Sequence, residues 1–259
     1  MRILTTICAR AGSKGLKSKN TREFLGRPLC AYTLSAYRLF LERFGAQYGD
    51  FALALNTDSE ALKEQFARSN TPFICVPRSE DLAGDSVPKP DVIRETLAFC
   101  EQIGGEEYDA VLDLDLTSPL RRAVDIKNCL DAFLASPGAE IALTLTEARR
   151  NPRFNQLVKN EEGFYEAAIK SDFVARQQAP EVFDANASIY VYSPAYLKGS
   201  SRIFLKAHLA ASMMPDTAVL DIDSERDFEL MGLLAGYFYK TDAEFCEVRD
   251  NIESFYGAS

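Results

Sequence analysis

The feature that most constrains the fold of this chain is a regular alternation of short apolar runs with longer segments of helical periodicity. The apolar runs are Arg2–Cys8, Phe51–Leu55, Phe73–Val76, Ala110–Leu114 and Ile141–Leu145. The segments with apolar residues at helical spacing are Leu29–Phe44, Ser59–Arg68, Pro90–Ile103 and Ala123–Ala135. This alternation predicts βαβ units and a three-layer α/β/α fold. Its sheet is expected to be mostly parallel, with ligands bound beyond the carboxyl ends of the strands.

The alternation stops after Leu145. Residues 147–185 are polar and contain no clear helical pattern. Beyond them, Ala187–Tyr192 and Ala218–Ile222 are predicted strands, and a long helix is predicted from Ser224 to about Tyr239. We therefore expect a single domain over residues 1–259, with residues 147–185 as a hairpin-rich insertion that could reach a second subunit.

Composition and charge exclude several classes of protein. The chain has 259 residues, 47% of them hydrophobic, and a formal net charge of -9. An acidic chain without an extended basic face is a poor binder of nucleic acid or of anionic membranes, so neither is expected as a partner. No apolar run approaches the roughly 20 residues that span a bilayer. Since the N-terminus also lacks a signal-peptide pattern, a cytoplasmic location is expected.

Cysteine and histidine are poor candidates for the chemistry. The 6 cysteines form no C-x-x-C pair and lie mostly in apolar surroundings, which is typical of reduced core residues. His208 is the sole histidine, which excludes a multi-histidine metal site and disfavours a Ser-His mechanism. The chemistry is therefore expected from Lys, Arg, Asp and Asn side chains and from a metal held by oxygen ligands.

The loop after the first predicted strand reverses the sign of the overall charge. Residues 9–22 read A-R-A-G-S-K-G-L-K-S-K-N-T-R and contain no acidic residue. Glycines allow close approach to the backbone and cations neutralise negative charge, so this loop is predicted to bind a polyphosphate. Arg10, Lys14 and Lys19 would neutralise the phosphates, and backbone N–H groups would donate to them. The residue order of a Walker A loop is absent, and a solvated basic turn is the alternative interpretation.

The segment Asp221-Ile222-Asp223 places two carboxylates before the last predicted helix. Alternate residues of an extended chain point to the same side, so both carboxylates can face one hard cation such as Mg²⁺. The alternative is that Asp223 or Ser224 caps the helix and Asp221 is merely solvated.

Polar residues also follow other predicted strands. Residues 113–121 read D-L-D-L-T-S-P-L-R and offer a second pair of carboxylates. Asp115 could line a substrate pocket or bind metal, and turn formation or capping is the alternative. Arg78 follows the third strand and therefore also faces the ligand edge. Asn186 precedes the strand after the insertion, where an asparagine can bind a sugar or a carboxylate.

Four segments, taken together, resemble the CMP-sialic acid synthetase family, the cytidylyltransferases that activate nine-carbon α-keto acid sugars. A-R-A-G-S-K-G-L-K-S-K-N at 9–20 is similar to that family's A-R-x-G-S-K-G-x-x-x-K-N, and L-T-S-P-L-R at 116–121 is similar to its P-T-S-P-L-R. N-A-S-I-Y at 186–190 and D-I-D-S-E-R-D at 221–227 complete the series in the family's order. The four blocks span almost the whole chain.

Two further segments narrow the resemblance. N-P-R-F-N at 151–155 and R-Q-Q-A-P-E-V-F-D-A-N at 176–186 look more like the legionaminic acid branch than the neuraminic acid branch. The resemblance implies a Rossmann-like nucleotidyltransferase sheet with a small dimerisation insertion. That insertion swaps across the family's dimer, so residues 147–185 are expected to build a homodimer. Arg149, Arg153 and Arg176 are candidates to hold the substrate carboxylate, with structural salt bridges as the alternative.

The resemblance also implies a reaction, in which CTP and a nine-carbon sugar acid (a nonulosonic acid) give a CMP-sugar and pyrophosphate. The anomeric hydroxyl attacks the α-phosphorus while pyrophosphate leaves in line, and catalysis is mostly positioning and charge neutralisation. By position, the nucleotide would be held by Arg10, Gly12, Ser13, Lys14, Lys19, Asn20 and Arg78. Lys14, Lys19 and Asp223 would be catalytic, with Asp223 orienting or deprotonating the sugar hydroxyl. Asp221 and Asp223 would bind Mg²⁺, the expected cofactor.

The sugar side departs from the neuraminate enzymes. Asp115 stands where those enzymes have a glutamine and is followed by Leu116 rather than proline, and Asp184 stands where they have an arginine. Carboxylates suit N–H donors such as the acetamido groups of a 5,7-diamino sugar, so these changes should alter which sugar is accepted. The residues expected to contact the sugar are Asp115, Thr117, Ser118, Arg176, Asp184 and Asn186.

Three other functions fit parts of the pattern. One is CMP-N-acetylneuraminate synthetase proper. A nucleotide-sugar glycosyltransferase would use Asp113-Leu114-Asp115 as a D-x-D metal motif, but it would not need lysines against a triphosphate. A catalytically silent nucleotide-binding protein would be expected to lack a phosphate-binding lysine or a metal carboxylate, yet both kinds of residue are present.

Overall fold

Seven strands form the central sheet of the molecule. The computed structural model describes residues 1–12, 15–82, 84, 87–199 and 204–256, and the elements below belong to those ranges. The strands are β1 (Arg2–Cys8), β2 (Glu23–Phe24), β3 (Arg27–Pro28), β4 (Asp50–Thr57), β5 (Ile74–Pro77), β6 (Ala110–Leu114), β7 (Ile141–Glu147), β8 (Leu157–Lys159), β9 (Tyr165–Ala167), β10 (Phe183–Tyr192) and β11 (Leu209–Met213). The helices are α1 (Leu29–Phe44), α2 (Glu60–Arg68), α3 (Lys89–Gly104), α4 (Ala123–Leu134), α5 (Pro194–Lys198), α6 (Glu225–Thr241) and α7 (Ala243–Tyr256).

The central sheet has the strand order β11-β7-β10-β6-β1-β4-β5. β1 pairs in parallel with β4 and β6, and β5 extends this parallel set beyond β4. β10 is the exception, because it runs antiparallel to both of its neighbours, β6 and β7. The predicted mostly parallel sheet is confirmed, and the carboxyl ends of β1, β4, β5 and β6 meet at one edge.

Helices cover both faces of this sheet. Consecutive strand residues point to opposite sides, so Ile3 and Ile7 of β1 belong to one buried cluster and Leu4 belongs to another. The first cluster includes side chains of α1, α2, α4, α6 and α7, and the second includes those of α3 and α5. The predicted three-layer arrangement is therefore confirmed.

Several elements that were predicted from apolar periodicity have observed bounds close to the predicted ones. β1, β6 and α1 have the predicted bounds. α2 begins after Ser59, whose Oγ accepts a hydrogen bond from the Leu62 N–H. α6 begins after Ser224, which forms a reciprocal capping pair with Asp227. Within the described ranges, no helix is both long and apolar enough to cross a membrane.

The C-terminal third differs from its prediction. The predicted strand at Ala218–Ile222 was wrong, because residues Asp216–Val219 form a 3-10 turn there. The edge strand is β11 instead, and it pairs in parallel with β7. β11 has an exposed face and reads L-A-A-S-M, which is too weak an apolar pattern to be recognised. The last helix, α7, also follows a single residue after α6, where Asp242 accepts from the N–H groups of its first turn.

Residues 147–185, called the arm from here on, start at the last residue of β7 and end in the first residues of β10, and the chain between them departs from the central sheet. The arm contains the β8–β9 hairpin, whose two strands pair with each other. Asn151 anchors its base, since the buried side chain donates to the Pro180 carbonyl at 2.9 Å. Large apolar side chains of the arm are exposed, namely Phe154, Leu157, Val158, Phe164, Tyr165, Ile169, Val174 and Phe183.

Candidate functional site

One cavity brings together the segments that the sequence singled out. It has a volume of about 440 Å³ and lies beyond the carboxyl ends of β1 and β6. Its walls come from the loop after β1, the end of β6 and the segment before α6. The lining residues are Cys8, Ala9, Arg10, Gly15, Lys19, Asn20, Asp115, Thr117, Asp221 and Asp223. Predicted nucleotide, substrate and metal residues therefore share one cavity.

The loop after β1 is tied at its start to the neighbouring strand. The Ala9 N–H donates to the Asn56 carbonyl at 3.0 Å. The Ala11 N–H donates to Oδ1 of Asp58 at 2.6 Å. Because Asn56 belongs to β4 and Asp58 follows it directly, β4 determines where the basic loop begins.

The predicted nucleotide residues of this loop fall into two groups. Arg10 and Asn20 line the cavity. Among the described residues, chain neighbours aside, no atom lies within 4 Å of a Cβ built on Gly12. Ser13 and Lys14 lie outside the described residues, so their roles stay predictions.

Gly15 brings the loop into direct contact with the segment before α6. A Cβ atom built on Gly15 would lie 2.0 Å from the carbonyl oxygen of Asp223. The obstacle is backbone and cannot turn aside as a flexible side chain can. Residue 15 must therefore be a glycine for the two segments to meet as they do.

Lys19 joins the same two segments through charge. Its Nζ lies 3.0 Å from Oδ1 of Asp223. Arg22, which the sequence counts among the loop cations, has a different role. It forms two hydrogen bonds with Glu225, at 2.7 and 2.5 Å, and lies over the ring of Phe228. Of these two cations, Lys19 lines the cavity and Arg22 does not.

Asp221 and Asp223 both face the cavity. Ile222 between them is fully buried, and its N–H donates to the Thr117 carbonyl at 3.0 Å, which holds the segment against the end of β6. The pKa of Asp221 is raised by burial and by repulsion from Asp223 and Asp115. Negative charge is therefore concentrated on this side of the cavity.

These carboxylates fit a magnesium ion. Mg²⁺ takes one or two protein carboxylates and completes its coordination with water and substrate phosphate. The repulsion that raises the pKa of Asp221 is what a bound divalent cation would relieve. In the part of the chain that the structure describes, no group of three or more His, Cys, Asp or Glu side chains could hold a metal ion. Ser224 and Asp227 cap α6, which leaves the Asp223 carboxylate to the cavity.

A partly buried ion-pair network adjoins the Asp115 wall. Nζ of Lys89, the first residue of α3, lies 2.7 Å from Oδ2 of Asp113 and 2.8 Å from Oδ2 of Asp115. Asp113 is fully buried and also accepts a 2.7 Å hydrogen bond from the Thr6 hydroxyl. Oδ1 of Asp115 accepts from the N–H and the hydroxyl of Thr117.

These contacts determine the protonation states. Burial opposes the charge of Asp115, but the attraction and hydrogen bond of Lys89 outweigh it and lower the pKa of Asp115 to about 2. Burial also opposes the charge of Lys89, and the two aspartates raise its pKa well above the usual value. Both groups are therefore charged at neutral pH. Burial raises the pKa of the Cys8 thiol to about 12, so this cavity residue is not a thiolate nucleophile.

Sequence reasoning missed Lys89. The predicted helix started at Pro90, and only the fold shows that the start of α3 lies beside the end of β6. The available signal was the pair of carboxylates on a buried strand, which requires a cation nearby. The same network argues against a D-x-D metal motif, since Asp115 lines the cavity whereas Asp113 is fully buried and paired.

Arg121 holds the backbone next to the site through hydrogen bonds. It is fully buried, and its guanidinium donates to the carbonyls of Asp115 and Ser188 at 2.7 and 2.6 Å. It also donates to the hydroxyls of Ser188 and Thr33 at 3.0 and 3.2 Å. Burial lowers the pKa of Arg121 to about 10. This arginine thereby ties the end of β6 to β10 and α1, and it fixes the backbone that carries Asp115.

The other residues predicted to contact the sugar differ in whether they line the cavity. Thr117 lines the cavity. Ser118 is buried, and within the described ranges its Oγ has no hydrogen-bond partner. Asn186 is also buried, with its Oδ1 accepting from the Thr144 hydroxyl at 2.5 Å. It lies where the register of β10 against β7 shifts, which the sequence did not indicate. Sugar contacts of these residues stay predictions.

None of the described side chains of the arm lines this cavity. Asp184 is half-buried in β10, opposite Thr146. Arg149 forms an ion pair with Asp216 at 2.5 Å, which agrees with the salt-bridge alternative. The side chain of Arg176 lies outside the described part of the chain. The sugar-binding roles of Asp184 and Arg176 stay predictions.

Arg78 follows β5 and lies beside the opening loop. Its Nε donates to the Leu82 carbonyl at 3.0 Å. Burial lowers its pKa, and repulsion from Arg10 adds to that effect, whereas Cys8 and Asp58 oppose it. Since these neighbours belong to the cavity or hold its loop, Arg78 is close to the region where the nucleotide is predicted to bind.

A mostly parallel sheet, a cationic loop after its first strand and carboxylates facing that loop define a nucleotidyltransferase of the α/β class. Residues 4–212 match the family described as cytidylyltransferase, and the chain belongs to that family. The family expected from the four sequence blocks is therefore confirmed.

Two relatives are each 32% identical over 235 residues, which cover 90% of this chain and 94% of the relative. They are the post-translational flagellin modification protein B of Campylobacter coli and the CMP-N,N'-diacetyllegionaminic acid synthase of Campylobacter jejuni. Among solved structures, a CMP:2-keto-3-deoxy-manno-octonic acid synthetase complexed with CTP has a TM-score of 0.64. That match covers 92% of this chain and 99% of the other at 15% identity, and it shows a shared fold.

Proposed function

We propose that this cytidylyltransferase joins the CMP group of CTP to a nine-carbon α-keto acid sugar of the legionaminic or sialic acid type and releases pyrophosphate. The observation that carries this proposal is the single cavity in which the cationic loop, Lys19 and the carboxylates of Asp221 and Asp223 meet. The name of the Campylobacter jejuni relative supports the choice of sugar. We also propose a cytoplasmic location, since CTP is a cytoplasmic metabolite.

The reaction would form a bond between the anomeric oxygen of the sugar and the α-phosphorus, and it would break the bond to the bridging oxygen of pyrophosphate. The phosphates would lie along the loop after β1, where backbone N–H groups and cations offset their charge. Lys19 would contact them from the cavity wall, and Lys14 is proposed for the same role. Asp223 would orient the sugar hydroxyl and accept its proton.

Mg²⁺ is the proposed cofactor, and Asp221 and Asp223 would hold it. When bound, it would neutralise phosphate charge and lower the pKa of a neighbouring hydroxyl. The chain's own contribution is to keep the two carboxylates in place through the burial of Ile222 and the close contact at Gly15.

The sugar would occupy the side of the cavity formed by Asp115 and Thr117. An ionised carboxylate accepts hydrogen bonds and donates none, so Asp115 favours a substrate that presents an N–H group there. A diacetamido acid such as N,N'-diacetyllegionaminate offers two such groups, and N-acetylneuraminate offers one. We therefore propose the diacetamido acid as the preferred substrate.

We further propose a homodimer built by the arm. Its large apolar side chains are exposed to water, and contact with a second subunit would bury them. A second cavity of about 550 Å³ lies at the base of the arm, between the ends of β7 and β10. A partner subunit could fill this space.

Pyrophosphate release with CTP, Mg²⁺ and a panel of sugar acids tests the proposed function. The panel contains N,N'-diacetyllegionaminate, its pseudaminate isomer, N-acetylneuraminate and 3-deoxy-manno-octulosonate, each also paired with the other nucleoside triphosphates. We expect release with CTP and a nine-carbon acid alone. Release with no pairing would contradict the proposal, and CTP binding would then separate a silent nucleotide binder from a glycosyltransferase.

A further inference from the structure

Lys89 does not itself line the cavity, but it is paired with Asp115, which does. Its Nζ bridges Oδ2 of Asp113 at 2.7 Å and Oδ2 of Asp115 at 2.8 Å. Asp113 is fully buried in β6, so it gives the lysine a rigid anchor. Asp115 lines the cavity. The bridge therefore connects a fixed strand residue to a residue that can meet substrate.

Both oxygens of the Asp115 carboxylate are held. Oδ2 is paired with Lys89, and Oδ1 accepts from the Thr117 N–H at 3.4 Å and the Thr117 hydroxyl at 3.2 Å. A carboxylate held in this way cannot turn towards a metal ion without losing these bonds. Oδ2 nevertheless has a second lone pair, so the group can still accept a hydrogen bond from a ligand.

The distribution of charge distinguishes the Asp115 side of the cavity from the side formed by Asp221 and Asp223. Asp115, Asp221 and Asp223 bring three carboxylates to one cavity. The ammonium of Lys89 offsets the charge of Asp115, so this part of the wall is polar but less attractive to a cation. Asp221, by contrast, is repelled by both of the other aspartates. A divalent cation gains most near Asp221 and Asp223.

We infer that Lys89 is a positioning residue of the sugar subsite, which holds Asp115 as an acceptor for an amide N–H of the sugar acid rather than as a third metal ligand. The inference rests on the proposed function and specifies the group by which the enzyme would select its sugar. It assigns the amide selectivity to the pair of Lys89 and Asp115.

Lys89→Met tests this role, because it removes the ammonium and keeps most of the side-chain volume. We expect the KM for the acetamido sugar acid to rise about tenfold or more, since the Asp115 carboxylate that accepts from the sugar is no longer held in place. The preference for this acid over its analogue with a hydroxyl at the same carbon should be largely lost. The KM for CTP, and the calorimetric Kd of CTP with Mg²⁺, should change by no more than about twofold. Lys89→Arg should restore part of the preference.

Lys198→Met is the matched control. Lys198 also pairs with two carboxylates, Glu101 at 3.0 Å and Glu107 at 3.4 Å, but it does not line the cavity. All kinetic constants should stay at wild-type values. If Lys89→Met leaves the sugar KM and the acetamido preference as unchanged as Lys198→Met does, the inference is overturned. Weaker binding of CTP with Mg²⁺ by Lys89→Met would also overturn it, because Asp115 would then serve the metal.

Asp115→Asn carries the test if Lys89→Met does not fold, since it leaves the pair of Lys89 and Asp113 intact. It should reproduce the loss of acetamido preference, and an unchanged preference would overturn the inference. A wild-type enzyme that releases no pyrophosphate with any sugar acid would overturn the proposed function and the sugar role of Lys89 together. An active wild type with an unaffected Lys89→Met variant overturns the present inference alone.

Discussion

Nζ of Lys19 lies 3.0 Å from Oδ1 of Asp223, although the two residues are 204 positions apart in the sequence. The pair closes the cavity between the loop after β1 and the segment before α6. The side chain of Lys19 is 14% exposed and that of Asp223 is 73% exposed. The lysine is therefore held in the wall, while the carboxylate is free to exchange partners when substrate or metal arrives. Both charges are in place before the nucleotide binds.

Removal of either charge should slow the transfer at saturating substrate. We expect Lys19→Met and Asp223→Asn each to lower kcat by about a hundredfold or more, because each removes a preorganised charge at the reacting groups. Steady-state release of pyrophosphate from CTP, with the sugar acid in excess, measures this effect.

Glu225→Gln is the matched control for this prediction. Glu225 pairs with Arg22 and joins the same two segments, but it does not line the cavity. Loss of such an exposed pair should leave kcat within about twofold of the wild-type value. A Glu225→Gln enzyme as slow as Lys19→Met would mean that the junction between the segments matters, and not the charge of Lys19.

Gly15→Ala should damage the same junction sterically. The added methyl group would lie 2.0 Å from the Asp223 carbonyl oxygen, so the loop or the segment before α6 must move. We expect the free energy of unfolding to fall by about 1–3 kcal/mol, as for other overpacked contacts. Gly12→Ala meets no atom within 4 Å among the described residues, chain neighbours aside, and should change that free energy by less than about 0.5 kcal/mol. Urea unfolding compares the two variants, and equal effects would contradict the close approach at Gly15.

The pair of Asp115 and Lys89 should make stability depend on pH. The pKa of Asp115 falls from 3.8 to about 2 in the folded protein, so its ionised form stabilises the fold above about pH 4. That contribution is lost as the pH falls towards 2. The pKa of Lys89 is raised above 10.5, so its contribution is present below that pH and is lost as the pH rises through the folded-state value. Between these limits, the shift of Asp115 corresponds to about 2 kcal/mol.

Asp115→Asn removes this contribution. It should lower the free energy of unfolding by about 2 kcal/mol at pH 7 and by less at pH 3. Urea unfolding at both pH values measures the difference from wild type. Asp172→Asn, at an exposed position in the arm, should show almost no difference at either pH. An effect of Asp115→Asn that is the same at both pH values would contradict the role of its ionisation.

Elements that are buried against the sheet could be predicted from sequence because burial imposes a periodicity. β1, β6 and α1 are largely buried, and their bounds were predicted to the residue. β11 could not be predicted, since it is an edge strand with an exposed face and few large apolar residues. Its position depends on pairing with β7, which is a property of the tertiary fold.

Some residues of the site could likewise be predicted from the sequence, and others could not. Arg10, Lys19 and Asp115 follow strands of the predicted parallel sheet, whose carboxyl ends meet at one edge, and the structure places all three in one cavity. The role of Lys89 could not be predicted, because its contact with Asp113 depends on how α3 packs beside β6. The burial of Asn186 depends on a local shift of strand register, which has no sequence signature of its own.

The exposed apolar side chains of the arm lead to a prediction about the dimer. Phe164 is 69% exposed and Val174 is 85% exposed, although burial of such apolar side chains away from water is favourable. If the arm forms the dimer, Phe164→Glu combined with Val174→Glu should convert the dimer to a monomer, because two charges would be buried without partners. Leu233→Glu is the control, since Leu233 is 75% exposed on α6, outside the arm, and this variant should stay dimeric. Light scattering over a range of concentrations measures all three proteins, and a wild type that is monomeric throughout would contradict the arm-mediated dimer.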